Sequence, residues 1–238
     1  MPGRIALVGS GEYLPVMHEV ESWLLQNRPP RYVQLATAAA PEGQRSVDYW
    51  RDLGAQAAQR LGVEQVFVDV RSAEDAADLA LADLVRGAGA IYFSGGNPTF
   101  LARTLAGSPV LAAIIDEWRA GASLAGCSAG AMALGGYVPN LRHPKSGGVS
   151  GFGVVPDIHV LPHFDRYSSW MPGFAAHLLT GEAYHVVGID EDTALVAEPS
   201  DAGAWAFRPV GRQGAWLVTP QGHLPLEQLD LRVTGPAE

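Results

Sequence analysis

The stretch Gly121-Ala-Ser-Leu-Ala-Gly-Cys-Ser-Ala-Gly-Ala-Met-Ala-Leu134 decides the fold of this chain. It joins a short apolar run to a helix-forming run through the turn Gly126-Cys127-Ser128-Ala129-Gly130, and this pattern predicts strand, sharp turn and helix. A serine at the tip of such a turn presents its hydroxyl beyond the sheet, and the crowded flanks favour glycine. The new helix also directs backbone N–H groups towards the reacting oxygen. Although Gly-x-Ser-x-Gly also occurs in ordinary turns, this context indicates Ser128 as a nucleophile.

Cys127 is the one cysteine in the chain and precedes Ser128. A frame shifted by one residue would make Cys127 the nucleophile but would put Ala125 and Ala129 where the glycines belong. The frame therefore favours the serine, and Cys127 is expected to point into the core as a small apolar residue, with a tuning role left open.

Strands and helices alternate through the first half of the chain. Predicted strands lie at residues 4–9, 32–36, 63–70 and 90–93, and predicted helices at residues 16–24, 47–61, 73–85, 99–105 and 109–118. This rhythm is typical of an α/β fold with a mostly parallel sheet covered on both faces, a three-layer sandwich. Because ligands bind beyond the carboxyl ends of such strands, residues 10–12, 94–97 and 127–129 are expected to meet.

The second half has a different texture. Residues 135–153 are rich in Gly, Pro and Ser, which predicts a long loop of the lid or binding type. Strands are expected at residues 157–163 and 185–189, with a helix at residues 168–179 between them. Apolar runs at residues 193–197, 204–207 and 215–218 predict short antiparallel strands. With no linker or repeat, residues 1–238 are expected to form a single domain.

Composition excludes several classes of function. The net charge is −9 without a basic cluster, so neither nucleic acid nor an anionic membrane is expected as a partner. The start of the chain, without a leader pattern, predicts a cytoplasmic protein, and no apolar run is long enough to cross a bilayer. A single cysteine excludes a multi-cysteine zinc site. Gly9-Ser10-Gly11 lacks a third glycine, since Leu14 stands there, so no nicotinamide cofactor is expected.

A serine nucleophile needs a base and a group that orients the base. His163 closes a predicted strand, where its imidazole could face Ser128. A metal site from Asp157, His159 and His163 is disfavoured because residues along one strand diverge, so no metal is expected. The acid could be any of the three consecutive carboxylates Asp190-Glu191-Asp192.

Two segments could supply donors for the oxyanion of acyl transfer. The Ala129 N–H directly follows the nucleophile. The Gly95-Gly96 peptides could supply the second donor, because missing side chains allow close approach.

Four motifs in order resemble the dipeptidase E and cyanophycinase family of serine peptidases: Ser-Gly-Gly-Asn at 94–97, Gly-Cys-Ser-Ala-Gly-Ala at 126–131, His-Phe at 163–164 and Gly-Ile-Asp-Glu-x-Thr-Ala at 188–194. The resemblance covers residues 5–218. It implies a class I glutamine amidotransferase-like fold, a Ser128-His163-Glu191 triad, and oxyanion donors at Gly95, Gly96 and Ala129.

The departures from this family concern specificity. Leu161-Pro162 stand where cyanophycinases have Asp-Gln, and of their following arginines only Arg166 remains close. The next predicted helix offers His177 and no arginine, so aspartyl specificity is not implied. The candidates for substrate binding are Asn97, Arg142, Lys145, Arg166 and His177.

The sequence thus predicts a cytoplasmic serine exopeptidase that acts on short peptides and could form a homodimer. An esterase of the α/β-hydrolase type is the alternative enzyme, and it would recruit Asp192 and His223. A non-catalytic binding protein on the same fold is the alternative from another class.

Overall fold

The structure is a computed structural model and describes residues 1–140, 147–167, 184–199 and 205–231. Its strands are β1 Ile5–Val8, β2 Arg31–Leu35, β3 Glu64–Phe67, β4 Ala90–Phe93, β5 Ser123–Cys127, β6 Tyr137–Val138, β7 Val149–Ser150, β8 Ile158–Pro162, β9 His185–Ile189, β10 Thr193–Ala197, β11 Trp205–Gly211, β12 Ala215–Thr219, β13 Gly222–Pro225 and β14 Leu229–Leu231. Its α-helices are α1 His18–Leu25, α2 Gln44–Leu61, α3 Ala73–Ala76, α4 Leu79–Asp83, α5 Pro98–Leu105, α6 Pro109–Ala120, α7 Ala129–Leu134 and α8 Phe164–Tyr167, and 3-10 helices span Pro15–Met17 and Thr37–Glu42.

The central sheet has the strand order β14-β11-β10-β1-β5-β4-β2-β3. Strands β3, β2, β4, β5 and β1 pair in parallel, whereas β10, β11 and β14 add antiparallel strands at one side. The predicted α/β fold with a mostly parallel sheet and antiparallel strands late in the chain is confirmed.

Helices cover both faces of this sheet because its strands are buried on both sides. Ile5 and Leu7 of β1 join one apolar core, and Ala6 and Val8 of the same strand join the other. The first core includes side chains of α5, α6 and α7, and the second includes side chains of α1 and α2. Alternation along one strand thus produces the predicted three layers.

A second sheet brings the later strands to the end of the first. It has the order β13-β12-β9-β8, in which β8 and β9 are parallel and Pro162 is level with Ile189. Helix α7 packs against β8, so this sheet lies beside the turn that carries Ser128. The sequence predicted β8, β9 and β12 but neither β13 nor that these strands form a separate sheet.

Two predicted elements differ in detail. The helix expected at 73–85 is two short helices, because Asp78 caps a new start by accepting the Ala80 N–H. The loop expected at 135–153 contains the paired strands β6 and β7, while its residues 141–146 lie outside the described part of the chain, as does the helix predicted at 168–179.

Within the described ranges no single helix is long and apolar enough to cross a membrane. Helices α5 and α6 pass that test of length and composition only when taken as a pair, and they are bent by 92°.

Candidate active site

Ser128 lies at the sharp turn between β5 and α7. Its backbone has φ 49° and ψ −107°, which a residue with a side chain rarely adopts. The Ser128 N–H donates to the Val8 carbonyl at 2.9 Å and so ties the turn to β1. The hydroxyl oxygen lies 2.7 Å from Nε2 of His163. The strained turn therefore presents the serine hydroxyl to an imidazole.

The two glycines around Ser128 are required by close backbone packing. A Cβ at Gly126 would lie 2.6 Å from the Gly130 carbonyl oxygen, and a Cβ at Gly130 would lie 2.7 Å from the Phe93 Cβ. Both distances are shorter than van der Waals contact. Strand, turn and helix can pack this tightly only with glycine at both positions, as the spacing predicted.

His163 follows β8 and has a φ of 137°. Its Nδ1 lies 3.2 Å from Oε1 of Glu191, which follows β9. Because β8 and β9 are parallel neighbours that end level with each other, the residues after them meet. With its proton on Nδ1, the ring donates to the carboxylate and offers Nε2 to the Ser128 hydroxyl.

Phe164 and Gly188 hold these two segments together. The Phe164 ring is buried, and a Cβ at Gly188 would lie 2.8 Å from the ring atom Cδ1. The missing side chain at Gly188 thus makes room for the ring that follows His163. This contact gives a physical reason for the His-Phe and Gly-Ile-Asp-Glu motifs.

The three consecutive carboxylates have different partners. Asp190 accepts the Gly214 N–H and the Trp216 indole N–H. Asp192 pairs with Arg212 at 3.2 Å. Glu191 is the one of the three that reaches His163 in the described contacts. The geometry therefore separates residues that the sequence pattern could not.

Arg166 also reaches the acid. Its Nε lies 2.8 Å from the same Oε1 of Glu191, and its side chain is 66% exposed. In this structure Arg166, predicted to bind substrate, therefore pairs with the carboxylate behind the imidazole.

Two of the three predicted oxyanion donors keep a free N–H. Gly95 donates its N–H to Oε1 of Glu12 at 3.0 Å, so this donor is engaged. Among the described residues no protein acceptor takes the N–H of Gly96 or of Ala129. Gly96 has φ 136°, and a Cβ there would lie 2.7 Å from the Ala39 nitrogen. Of the three predicted donors, Gly96 and Ala129 are thus the two whose N–H has no acceptor among the described residues, and their role in binding an oxyanion stays a prediction.

Glu12 and Cys127 form a buried pair under the turn. The Cys127 Sγ donates to Oε2 of Glu12 at 2.7 Å, and both residues are buried. Burial raises the pKa of the Cys127 thiol well above its usual value, and the nearby Glu12 carboxyl raises it further. A thiol that stays protonated is a poor nucleophile, so the preference for serine is consistent with this geometry. The sequence placed Glu12 at this edge of the sheet but gave it no role.

Of the other residues predicted to bind substrate, one caps a helix and the rest lie outside the described part of the chain. Asn97 caps α5, because its side chain accepts the Phe100 N–H at 3.0 Å. Arg142 and His177, predicted to bind substrate, and Lys145 lie outside the described residues. In the described part of the chain, no group of three His, Cys, Asp or Glu residues is arranged to hold a metal ion.

Two other histidines belong to the alternatives weighed from the sequence: His223 to the esterase and His159 to the metal site. Both have aromatic neighbours in the structure. His223 packs edge-on against Phe164 and Trp216, with ring centroids 5.2 Å and 5.0 Å away, while Asp192 pairs with Arg212. His159 stacks on Tyr184 at 3.8 Å, and burial lowers the pKa of His159 to about 4. His159 is therefore a neutral core residue at ordinary pH.

Comparison with known proteins supports the architecture. Residues 8–203 match the model of peptidase family S51. A crystal structure of a peptidase from an acI-B1 Actinobacterium is 38% identical with a TM-score of 0.86, and the alignment covers 97% of this chain and 98% of that chain. A peptidase E candidate from Listeria monocytogenes EGD-e is 19% identical with a TM-score of 0.62 over 90% of this chain and 100% of that chain, a likeness of fold alone.

Curated relatives are more distant. The cyanophycinase of Trichormus variabilis is 27% identical over 177 residues, which are 68% of this chain and 56% of that protein. The cyanophycinase of Geminocystis herdmanii is 28% identical, over 67% of this chain and 58% of that protein. The chain thus spans little more than half the length of these relatives. Together the matches confirm the family resemblance inferred from the four motifs.

Proposed function

The chain belongs to peptidase family S51, and on that premise we propose that this peptidase is a serine exopeptidase for short peptides. The observation that carries the proposal is one line of contacts. The Ser128 hydroxyl lies 2.7 Å from His163 Nε2, and His163 Nδ1 lies 3.2 Å from Glu191 Oε1. The nucleophile is thereby within hydrogen-bond reach of the base, and the base is within reach of the orienting acid, before substrate arrives.

In the acylation step, the Ser128 oxygen attacks the carbonyl carbon of the peptide bond while its proton passes to Nε2 of His163. Glu191 stabilises the imidazolium through Nδ1–H. The N–H groups of Gly96 and Ala129 would bind the oxyanion of the tetrahedral intermediate. As the C–N bond breaks, Nε2 gives its proton to the leaving amine, and an ester to Ser128 remains.

In the deacylation step, His163 takes a proton from water, and the hydroxide attacks the ester carbon. The tetrahedral intermediate again has its oxyanion at the Gly96 and Ala129 N–H groups. Its collapse breaks the bond to the Ser128 oxygen, which recovers the proton from Nε2. The product is a peptide or amino acid with a new carboxylate.

Substrate choice is the finer part of the proposal. The curated relatives are cyanophycinases. Here, however, Leu161-Pro162 precede His163, where the resemblance to cyanophycinases implies Asp-Gln. We therefore favour short peptide ends over cyanophycin. Arg166 is exposed enough for its guanidinium to leave Glu191 and bind a substrate carboxylate. Roles for Asn97, Arg142 and His177, the cytoplasmic location and the homodimer stay predictions.

A peptide screen tests the proposed function. Di- and tripeptides with free and blocked termini are incubated with the wild-type chain and with Ser128→Ala, and released amines are quantified. We expect the wild-type chain to hydrolyse only peptides that have at least one free terminus. In Ser128→Ala the rate of hydrolysis should fall by at least about 10³-fold. Equal hydrolysis by both proteins, or hydrolysis of peptides whose two termini are both blocked, would refute the proposal.

A further inference from the structure

Glu12 is a buried carboxyl residue beside the candidate active site. It follows β1 through the turn at Ser10-Gly11, and only 4% of its surface is exposed. Burying a carboxyl costs free energy unless its oxygens find partners. Burial raises the pKa of Glu12, whereas the hydrogen bonds from Cys127 and Gly95 lower it.

The two partners of Glu12 connect it to two segments of the site. Oε1 accepts the Gly95 N–H at 3.0 Å, and Oε2 accepts the Cys127 thiol at 2.7 Å. Gly95 precedes Gly96, and Cys127 precedes Ser128 and Ala129. One carboxyl thus bridges the two turns that carry the free N–H groups of Gly96 and Ala129.

Backbone hydrogen bonds anchor the chain on both sides of the Gly95-Gly96 turn, and the bond to Glu12 fixes the Gly95 peptide between these anchors. Its neighbours are anchored, since Ser94 donates its N–H to the Leu35 carbonyl at 2.9 Å and Asn97 donates to the Ala38 carbonyl at 2.7 Å. A Cβ at Gly95 would lie 3.0 Å from Glu12 Oε1 and 3.6 Å from the Ser128 Cβ. The Gly95 peptide therefore lies between the carboxyl and the nucleophile.

We infer that Glu12 is a positioning residue, which holds the Gly95-Gly96 turn so that the Gly96 N–H faces the oxyanion formed at Ser128. This inference rests on the proposed function and deepens it. Glu12 does not touch the substrate and transfers no proton. Its carboxyl oxygen acts as an acceptor for one peptide, and the neighbouring peptide is thereby oriented for catalysis.

The inference predicts which property of the side chain matters. Glu12→Gln keeps an oxygen that can accept the Gly95 N–H, whereas Glu12→Met fills similar space without an equivalent acceptor. Glu21→Gln is the matched control, because Glu21 is also a buried carboxyl but accepts from Tyr13 and Tyr32 rather than from the turn.

The test measures kcat and KM for a cleaved peptide and the inhibition constant of a peptidyl boronic acid, whose adduct with Ser128 places an oxygen in the oxyanion site. We expect Glu12→Met to lower kcat and boronate affinity by about 10–100-fold, with KM changed less than about threefold, because donor alignment acts mainly on the transition state. Glu12→Gln and Glu21→Gln should stay within about threefold of wild type.

Two results would overturn the inference. One is a folded Glu12→Met variant with wild-type kcat and boronate affinity. The other is a Glu12→Gln variant that loses as much as Glu12→Met, since the charge rather than the acceptor would then matter. If Glu12→Met does not fold, Glu12→Gln decides alone: wild-type kcat and boronate affinity support the inference, and their loss refutes it.

Amide hydrogen exchange separates this inference from the proposed function. In the Ser128→Ala background, Glu12→Met should speed exchange at the Gly95 amide at least about tenfold, because an amide that loses its acceptor is less protected. An inactive wild-type chain with this Glu12-dependent protection would refute the proposed function alone. An active chain in which the exchange and kcat ignore Glu12 would refute the inference alone.

Discussion

The Ser128 hydroxyl lies 2.7 Å from Nε2 of His163, although the two residues follow strands of different sheets. Ser128 directly follows the central strand β5, and His163 directly follows β8 of the four-stranded sheet. The packing of α7 against β8 brings these ends together. A contact across 35 residues of sequence is thus produced by where two sheets meet.

Of the three consecutive acids Asp190, Glu191 and Asp192, we expect Glu191 to be the one that supports hydrolysis. Glu191→Gln leaves the ring of His163 without an ionised partner, and we expect kcat to fall by about 10²–10⁴-fold. Asp192→Asn is the control, since Asp192 pairs with exposed Arg212, and it should keep kcat within about threefold. Steady-state kinetics on one peptide compares the two, and equal losses would mean that Glu191 has no special role.

Arg166 should affect binding of a charged substrate more than the chemistry. If its guanidinium moves from Glu191 to a substrate carboxylate, Arg166→Gln should raise KM for peptides with a free carboxylate. The rise should be only roughly 3–10-fold, because the Arg166 side chain is 66% exposed and an ion pair in water is weak. Amidated peptides should show no such rise. Arg212→Gln is the matched control, as Arg212 is similarly exposed but pairs with Asp192. A rise that is equal for free and amidated peptides would exclude carboxylate binding by Arg166.

Glu21 should make stability depend on pH. Burial raises the pKa of Glu21 from 4.5 to about 7, so the folded state favours the protonated carboxyl. Its contribution is fully present below pH 4.5 and is lost as the pH rises through about 7. Relative to Glu21→Gln, the wild-type free energy of unfolding should fall by on the order of 3 kcal/mol between pH 4 and pH 9.

Urea unfolding of both proteins at several pH values measures this difference. Glu64→Gln is the control, because Glu64 is 60% exposed, and its curve should parallel that of wild type. If wild type and Glu21→Gln also gave parallel curves, Glu21 would be ionised at no cost in the folded state.

Gly126 should tolerate no side chain. In Gly126→Ala the added Cβ would lie 2.6 Å from the Gly130 carbonyl oxygen, and the turn would have to open. We expect a loss of about 1–3 kcal/mol in the free energy of unfolding. Gly214→Ala is the control, because its Cβ would meet the Trp216 ring at an ordinary 3.5 Å. Thermal and urea unfolding compare the two variants, and equal stabilities would contradict the packing argument for this turn.

Local patterns predicted the parts of the fold that depend on local chemistry. The strand, turn and helix around Ser128 follow from glycine spacing, and β4, β9 and β10 begin and end where the apolar runs do. The sequence analysis predicted one helix at 73–85 because the alanine-rich run has a continuous helical pattern. The side chain of Asp78 caps a new helix within this run, and the pattern shows no break there. Alternation marks a strand but does not say which sheet the strand joins.

Contacts between residues far apart in the chain could not be predicted from the sequence. Glu12 lies 83 residues from Gly95 and 115 from Cys127, so no spacing rule connects them. The choice among Asp190, Glu191 and Asp192 depends on their different partners, which lie 20 or more residues away in the sequence. The family resemblance supplied Glu191, and residue patterns alone left all three carboxylates open.

Covalent labelling of Ser128 tests the central claim most directly. A serine-directed phosphonate is reacted with the wild-type chain, His163→Ala and His223→Ala, and intact mass and peptide mapping follow the adduct over time. The account predicts one adduct on Ser128 of wild type, a similar rate in His223→Ala, and a rate at least about 10²-fold lower in His163→Ala. An adduct on another residue, or equal labelling of wild type and His163→Ala, would contradict it.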